Sequence, residues 1–228
     1  MNNISEQNKK SDETKKKIVV TAIALFCEKG FDETTMRDMA DKAGVALGTY
    51  YYYFKTKEEV ILAFYHQTQK EAGEEALKIC RQKGDLREKI LKIINYKFEQ
   101  YKPYRPLLSV LSRVAGNTAH PLSPFSIHTK EIRDEAVFLF EEAIHSVSYK
   151  ISKDLRPYLA HLLWFYQMGV IFFWLNDESE NQINTKFLTE TSLDIIFGLL
   201  RFSSFPMVRG LRKKLVSLLE NFIPGTKG

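Results

Sequence analysis

The sequence predicts an all-α protein, with an N-terminal three-helix helix-turn-helix domain followed by a C-terminal helical bundle. Three observations predict it. From Lys57 onward apolar residues recur every three or four positions, and no alternating run of the kind a strand needs persists. Glycine, proline and capping residues interrupt the chain at helical intervals, as at Gly30, Lys83-Gly84-Asp85 and Pro103. Residues 34–57, TTMRDMADKAGVALGTYYYYFKTK, hold two short apolar-patterned segments joined by Ala43-Gly44-Val45, the layout of a helix-turn-helix with glycine in its turn. The expected boundaries are a flexible arm over 1–12, a helix-turn-helix DNA-binding domain over 13–58 and a helical domain over 59–228.

The arm is polar, and Ser11 or Asp12 is the candidate cap where it gives way to the first helix. Lys9, Lys10, Lys15, Lys16 and Lys17 give this stretch a positive charge that suits a DNA backbone or minor groove, although such runs also occur as solvated faces. Ile18, Ala22, Leu25 and Phe26 repeat at helical spacing, and Gly30 closes that helix. Thr35 followed by Asp38 is a capping-box start. Met36, Met39, Ala40 and Ala43 then make one inward stripe, and Gly44 suits the left-handed position that ends a helix. After the turn, Tyr50 and Phe54 fall four apart and face the core, Tyr50 with its hydroxyl expected at the surface. Leu47, Thr49 and Tyr53 point elsewhere.

Beyond this segment the pattern predicts a long helix from about Val60 to Cys80 and another from Leu86 to Pro103. A short helix over 107–116, a loop over 117–124 and a helix from about Ser126 to Tyr149 follow. The last three are a long apolar one beginning near Tyr158, one over 182–202 and an amphipathic one over 207–222. Arg209, Arg212, Lys213 and Lys214 give the last helix a basic face.

The residue types in 34–57 suit double-stranded DNA. Phosphates reward cations and hydroxyls, which set register without reading sequence, and Thr35, Arg37, Tyr51, Tyr52, Lys55 and Lys57 supply both. Bases are read by short side chains near the groove floor. Leu47 and the Thr49 methyl can meet a thymine methyl, the Thr49 hydroxyl can bond a base edge, and Gly48 leaves the helix backbone bare for a close approach. Of the four consecutive tyrosines not all can be core, so Tyr51, Tyr52 and Tyr53 are candidates for display, the alternative being scaffold.

At these residues the sequence resembles the DNA-binding domain of the TetR family of transcriptional regulators. The match covers Lys16 to about Phe64: an apolar first helix ending FCEKGF, then TTMRDMA, then AGVALGTYYYYFKTK. The resemblance implies phosphate contacts from Thr35, Arg37, Tyr51 and Lys57, and base-edge or close backbone contacts from Ala46, Leu47, Gly48 and Thr49. It further implies a repressor that binds an inverted repeat as a homodimer and is released by a small-molecule effector held in the C-terminal helices. Ala46 departs from the family's frequent Ser or Thr, which leaves the third helix a poorer cap. Tyr50 stands where Leu or Ile is usual.

The 228 residues, 44% apolar, suit a folded globular protein, and a net charge of +5 does not by itself demand nucleic acid. Cys27 and Cys80 lie far apart without metal spacing, and the N-terminus lacks an apolar signal core, so a cytoplasmic location is expected. No cofactor, metal or enzymatic activity is expected. Glu142 and His145 share a helix face, as in di-iron bundles, but a second such motif is missing. No phosphate-binding loop or nucleophile elbow is present either.

Residues 158–175, YLAHLLWFYQMGVIFFWL, just reach the length of a membrane span, but His161 and Gln167 interrupt them. Burial between the chain's own core on one side and a second subunit on the other is favoured over insertion, and with the equally apolar 182–202 this suggests a four-helix dimer seam. The alternative function is a membrane-associated helical adaptor without sequence-specific DNA binding. Phe98, Tyr101, Tyr104, Phe125, Phe138, Trp164, Phe165, Met168 and Phe172 are candidates to line a site for a small apolar or aromatic effector; each is also plausible as ordinary core.

Overall fold

The computed structural model describes residues 2–222, and every regular element among them is helical. Two compact units emerge, one of residues up to 69 together with 103–132, the other of 70–102 together with 133–222. The division therefore falls at Gln69 rather than after residue 58, and the first unit takes in a segment that sequence spacing assigned to the C-terminal domain. The reason is packing: α6 (Arg105–Leu111) meets α1 (Asn2–Lys29), and the Tyr104 ring sets edge-on against Phe64 at 4.8 Å.

Helix α1 overturns the expected flexible arm. No glycine or proline occurs before Gly30, so polarity alone does not stop the helix. The Thr14 hydroxyl donates to the Lys10 carbonyl at 2.9 Å and that of Thr21 to the Lys17 carbonyl at 2.8 Å, each one turn back. Ile18, Ala22, Ile23 and Phe26 carry the buried face, and Gly30 ends the helix at φ +96°. Two short helices follow, α2 (Met36–Ala43) and α3 (Leu47–Tyr53), and then α4 (Lys57–Arg81), whose first half buries Val60, Ile61 and Phe64.

The expected helix from Ser126 begins only at Lys130. Three hydroxyls explain the delay: Ser123 donates to the Ala115 carbonyl at 2.6 Å, Ser126 to that of Pro121 at 3.1 Å and Thr129 to that of Ser123 at 2.7 Å. All three are buried, and bonds of this kind hold the backbone in turns instead of a helical ladder.

The second unit holds α5 (Leu86–Tyr101), α7 (Lys130–His145) from its second turn on, α8 (Leu159–Leu175), α9 (Ile183–Phe202) and α10 (Arg209–Phe222). Asp85 and Glu88 form a reciprocal capping box at the start of α5, as the Lys83-Gly84-Asp85 signal predicts. Two tyrosines fasten α9: the Tyr149 hydroxyl donates to the Phe197 carbonyl at 2.8 Å, and that of Tyr166 lies 2.7 Å from Ser192 Oγ. Between α8 and α9 the buried Asp177 carboxylate accepts from the backbone N–H and hydroxyl of both Ser179 and Thr185, at 2.6–3.0 Å. Lys89 is also buried, its ammonium donating to the Cys80 carbonyl at 2.7 Å, near the negative end of α4.

The run 156–175 is long and apolar enough to cross a membrane, and half of it is buried inside the protein. Its exposed side carries Phe165, Phe172 and Phe173. Helix α9 likewise exposes Ile183, Phe187, Ile195, Leu199 and Phe202, with Thr191 completing a stripe at intervals of about four. The basic face expected on α10 loses one member: Arg212 turns inward, pairing with Asp154 at 2.8 Å and donating to the Ser203 carbonyl.

Candidate nucleic-acid interface

Thr35 caps α2 in extended conformation. Its Oγ accepts the Asp38 N–H at 3.1 Å, and the Asp38 carboxylate accepts the Thr35 N–H at 2.9 Å. The same carboxylate takes the Lys29 ammonium at 2.7 Å. These bonds, from Lys29 first and then Thr35, hold its pKa well below the usual carboxylate range. Because the Thr35 oxygen is used only as an acceptor within the cap, its O–H remains available to a phosphate. Thr35 and Arg37 are both exposed at the amino end of α2, where the helix dipole also favours an anion.

The turn is built as the glycine signal implies. Gly44 sits at φ +64°, donates to the Ala40 and Asp41 carbonyls and redirects the chain at Val45. Ala46 then starts α3 in extended conformation with no side-chain cap, the deficit expected of alanine there.

Helix α3 divides its residues cleanly. Tyr50 and Phe54 are buried with ring centroids 6.2 Å apart, Leu47 is half-buried, and Gly48, Thr49, Tyr51 and Tyr52 are exposed, Tyr52 by 76%. A Cβ built on Gly48 meets nothing within 4 Å, so the bare backbone faces open space. The expectation that the Tyr50 hydroxyl reaches the surface is overturned. It lies 3.2 Å from Met39 Sδ, where the soft thioether of α2 serves as its partner, and burial pushes the phenol pKa up.

Besides Thr35, three more of the residues read as DNA contacts have polar intramolecular partners. Tyr53 is half-buried, its hydroxyl 3.1 Å from Ser11 Oγ, a tie between α3 and α1 that sequence spacing could not foresee because it spans 42 positions. The Lys55 ammonium donates to the Tyr51 carbonyl, at the carboxyl end of α3. The Lys57 ammonium donates to the Phe31 and Asp32 carbonyls at 2.7 and 3.1 Å and stands 4.7 Å above the Phe31 ring. Two of its three hydrogens are thus spent on the loop after α1.

Against this geometry, a family model described as bacterial regulatory proteins, tetR family, matches residues 18–64, and one described as tetracyclin repressor-like, C-terminal domain, matches residues 89–215. The chain belongs to the TetR family. It is a DNA-binding transcriptional regulator, and the family is one of regulators rather than enzymes. Among relatives, an uncharacterized HTH-type transcriptional regulator of Bacillus subtilis (strain 168), YerO, is 25% identical over 209 residues, 86% of this chain and 69% of its own length. A crystal structure of a protein assigned to the same family from Syntrophomonas wolfei aligns with a TM-score of 0.63 at 21% identity, covering 82% of this chain and 95% of that one. That of FadR from Bacillus subtilis in complex with stearoyl-CoA aligns with a TM-score of 0.55 at 17% identity, covering 83% and 98%. These two likenesses establish the TetR fold beyond the helix-turn-helix.

Of the nine aromatic and sulfur side chains read as effector candidates, Tyr104 and Phe125 belong to the first unit and the other seven to the second. Phe98 and Trp164 are buried, with Phe98 stacked on Trp174 at 5.6 Å, while Tyr101 and Met168 are half-buried. Phe138, Phe165 and Phe172 are exposed on the second unit, and Phe125 on the first. Among the described residues no group of three or more His, Cys, Asp or Glu side chains is arranged to hold a metal ion.

Proposed function

We propose that this TetR-family regulator is a cytoplasmic repressor that binds an inverted-repeat operator as a homodimer and leaves it when a small apolar or aromatic molecule binds the second unit. The observation that carries the DNA half of this reading is the exposure of Gly48, Thr49, Tyr51 and Tyr52 on α3, which follows an α2 capped at both ends. In this reading Ala46, Leu47, Gly48 and Thr49 face base edges, and Thr35, Arg37, Tyr51 and Tyr52 meet phosphates. The apolar stripes of α8 and α9 support the homodimer, because Phe172, Phe187 and Leu199 left in water are the composition of a subunit seam. Two subunits related by a two-fold axis present two recognition helices to two half-sites.

Effector release follows from linkage: a ligand favouring the DNA-incompetent form weakens DNA binding by the factor by which DNA weakens ligand binding. Phe98, Tyr101, Trp164 and Met168, buried or half-buried in the second unit, are the best-supported lining. The FadR structure of similar fold holds stearoyl-CoA, which makes that compound a first probe.

The test is selection of bound sequences from a random duplex pool by the full chain, with solution mass recorded in the same buffer. A dimer enriching an inverted repeat is the expected result. A monomer, or no enrichment at low salt, would refute the reading, and partition into lipid vesicles would favour the membrane-adaptor alternative. Addition of stearoyl-CoA to the complex then asks whether an acyl ligand releases the selected duplex.

A further inference from the structure

We infer that the first turns of α1 form a second DNA-contact strip, in which Lys10 and Lys17 hold phosphates beside the groove that α3 enters. The inference rests on the regulator reading above and extends it to a helix on which that reading places no contact. Two observations locate the strip. Near the start of α3, the Lys17 ammonium lies 3.7 Å from where a Cβ on Gly44 would stand. At the other end of α3, Ser11 Oγ lies 3.1 Å from the Tyr53 hydroxyl.

From Ser11 to Lys17 a helix rises about 9 Å, and the seven residues of α3 rise about 10 Å. Side chains of α1 thus reach both ends of α3, the later residue Lys17 at its start and the earlier Ser11 at its end. Lys10, Thr14, Lys17 and Thr21 follow one another at steps of four, three and four, a single stripe along α1. Both threonine hydroxyls are used on their own helix, donating to the Lys10 and Lys17 carbonyls. The lysines are exposed, and among the described residues neither ammonium is held in an ion pair.

The other lysines of the run differ. Lys15 turns toward the Phe54 ring, 5.9 Å from its centroid, while Lys9 and Lys16 stand about 100° round the helix from Lys10 and Lys17. Lys10 and Lys17 are about 10.5 Å apart along the axis, enough to reach separate phosphates. The partner is thus the sugar-phosphate edge flanking the recognition site, met without base readout.

The experiment compares the full chain with Lys10→Gln/Lys17→Gln and with Lys9→Gln/Lys16→Gln, on the duplex that the wild type selects from a random pool. Each lost phosphate contact lowers the slope of log affinity against log salt by about 0.9, so the first pair should flatten it by about 2 per protomer. The loss of affinity between 50 and 200 mM salt then shrinks about ten-fold per protomer, with the preferred sequence unchanged. An unchanged slope, or an equal effect from Lys9→Gln/Lys16→Gln, would overturn the strip while leaving the regulator reading intact. A wild type that selects no duplex would overturn both.

Discussion

Replacing Lys57 by methionine separates two roles that a lysine at this position can have. The methionine keeps an apolar stem against Phe31 and removes only the ammonium, which donates to the Phe31 and Asp32 carbonyls at 2.7 and 3.1 Å and faces the Phe31 ring at 4.7 Å. At a half-buried site where water can replace the lost donor, each such bond contributes about 0.5–1 kcal/mol. The ring contact adds about 0.5 kcal/mol. Lys57→Met should therefore destabilise the fold by about 2 kcal/mol. For a chain of this size that is a fall in melting temperature of roughly 4–8 °C, read by circular dichroism at 222 nm.

Because the ammonium is held by the carbonyls after α1 rather than by a phosphate, the salt slope of DNA binding should change by less than about half a unit per protomer, against about 0.9 for a full phosphate contact. Lys57→Arg, which keeps donors in place, should recover much of the stability. An unchanged melting temperature together with a slope flattened by a full unit would refute the reasoning. It would mean that the ammonium leaves the α1 loop for the phosphate that the TetR resemblance assigns it.

Three further outcomes follow from the same geometry. Burial alone would raise the Asp177 carboxyl, but the bonds from Ser179 and Thr185 outweigh it and hold its pKa below the usual range. Its contribution is then present above the unfolded value, about 3.9, and lost as pH falls through the lower folded value. The melting temperature of Asp177→Asn should accordingly lie below wild type at pH 7 and approach it at low pH; a difference that is constant with pH would refute the charge-based account. Thr49→Ala should change the selected half-site at one or two base pairs while leaving the salt slope within about half a unit, as expected of a base contact. Phe187→Lys/Leu199→Lys should convert the proposed dimer to monomer in light scattering, and a persistent dimer would move the proposed seam off α9.

Much of the local geometry of the candidate interface is legible along the chain because its signals are local. The Thr35/Asp38 box, Gly44 at positive φ and the core pair Tyr50 and Phe54 each depend on partners within four residues. The TetR resemblance likewise rests on contiguous segments, FCEKGF, TTMRDMA and AGVALGTYYYYFKTK. The helix start at Ser126 and the arm over 1–12 fail in opposite directions, and both turn on what polar side chains bond to. In 123–129 the serine and threonine hydroxyls bond to carbonyls and hold turns where apolar spacing predicts helix, whereas the polar residues before Gly30 leave the helical ladder intact.

Spacing, capping and the freedom of glycine are local, and they set the helical class and the turn chemistry. Which residues α3 displays, and what distant partners do to the rest, follows from packing between helices. It turned Tyr53 onto Ser11, spent Lys57 on the carbonyls after α1 and buried the Tyr50 hydroxyl on Met39. It also singled out Lys17 from a run of lysines by laying its ammonium beside Gly44. A long, flexible side chain can reach water, phosphate or its own backbone from the same Cα, and no periodicity records which of these it finds.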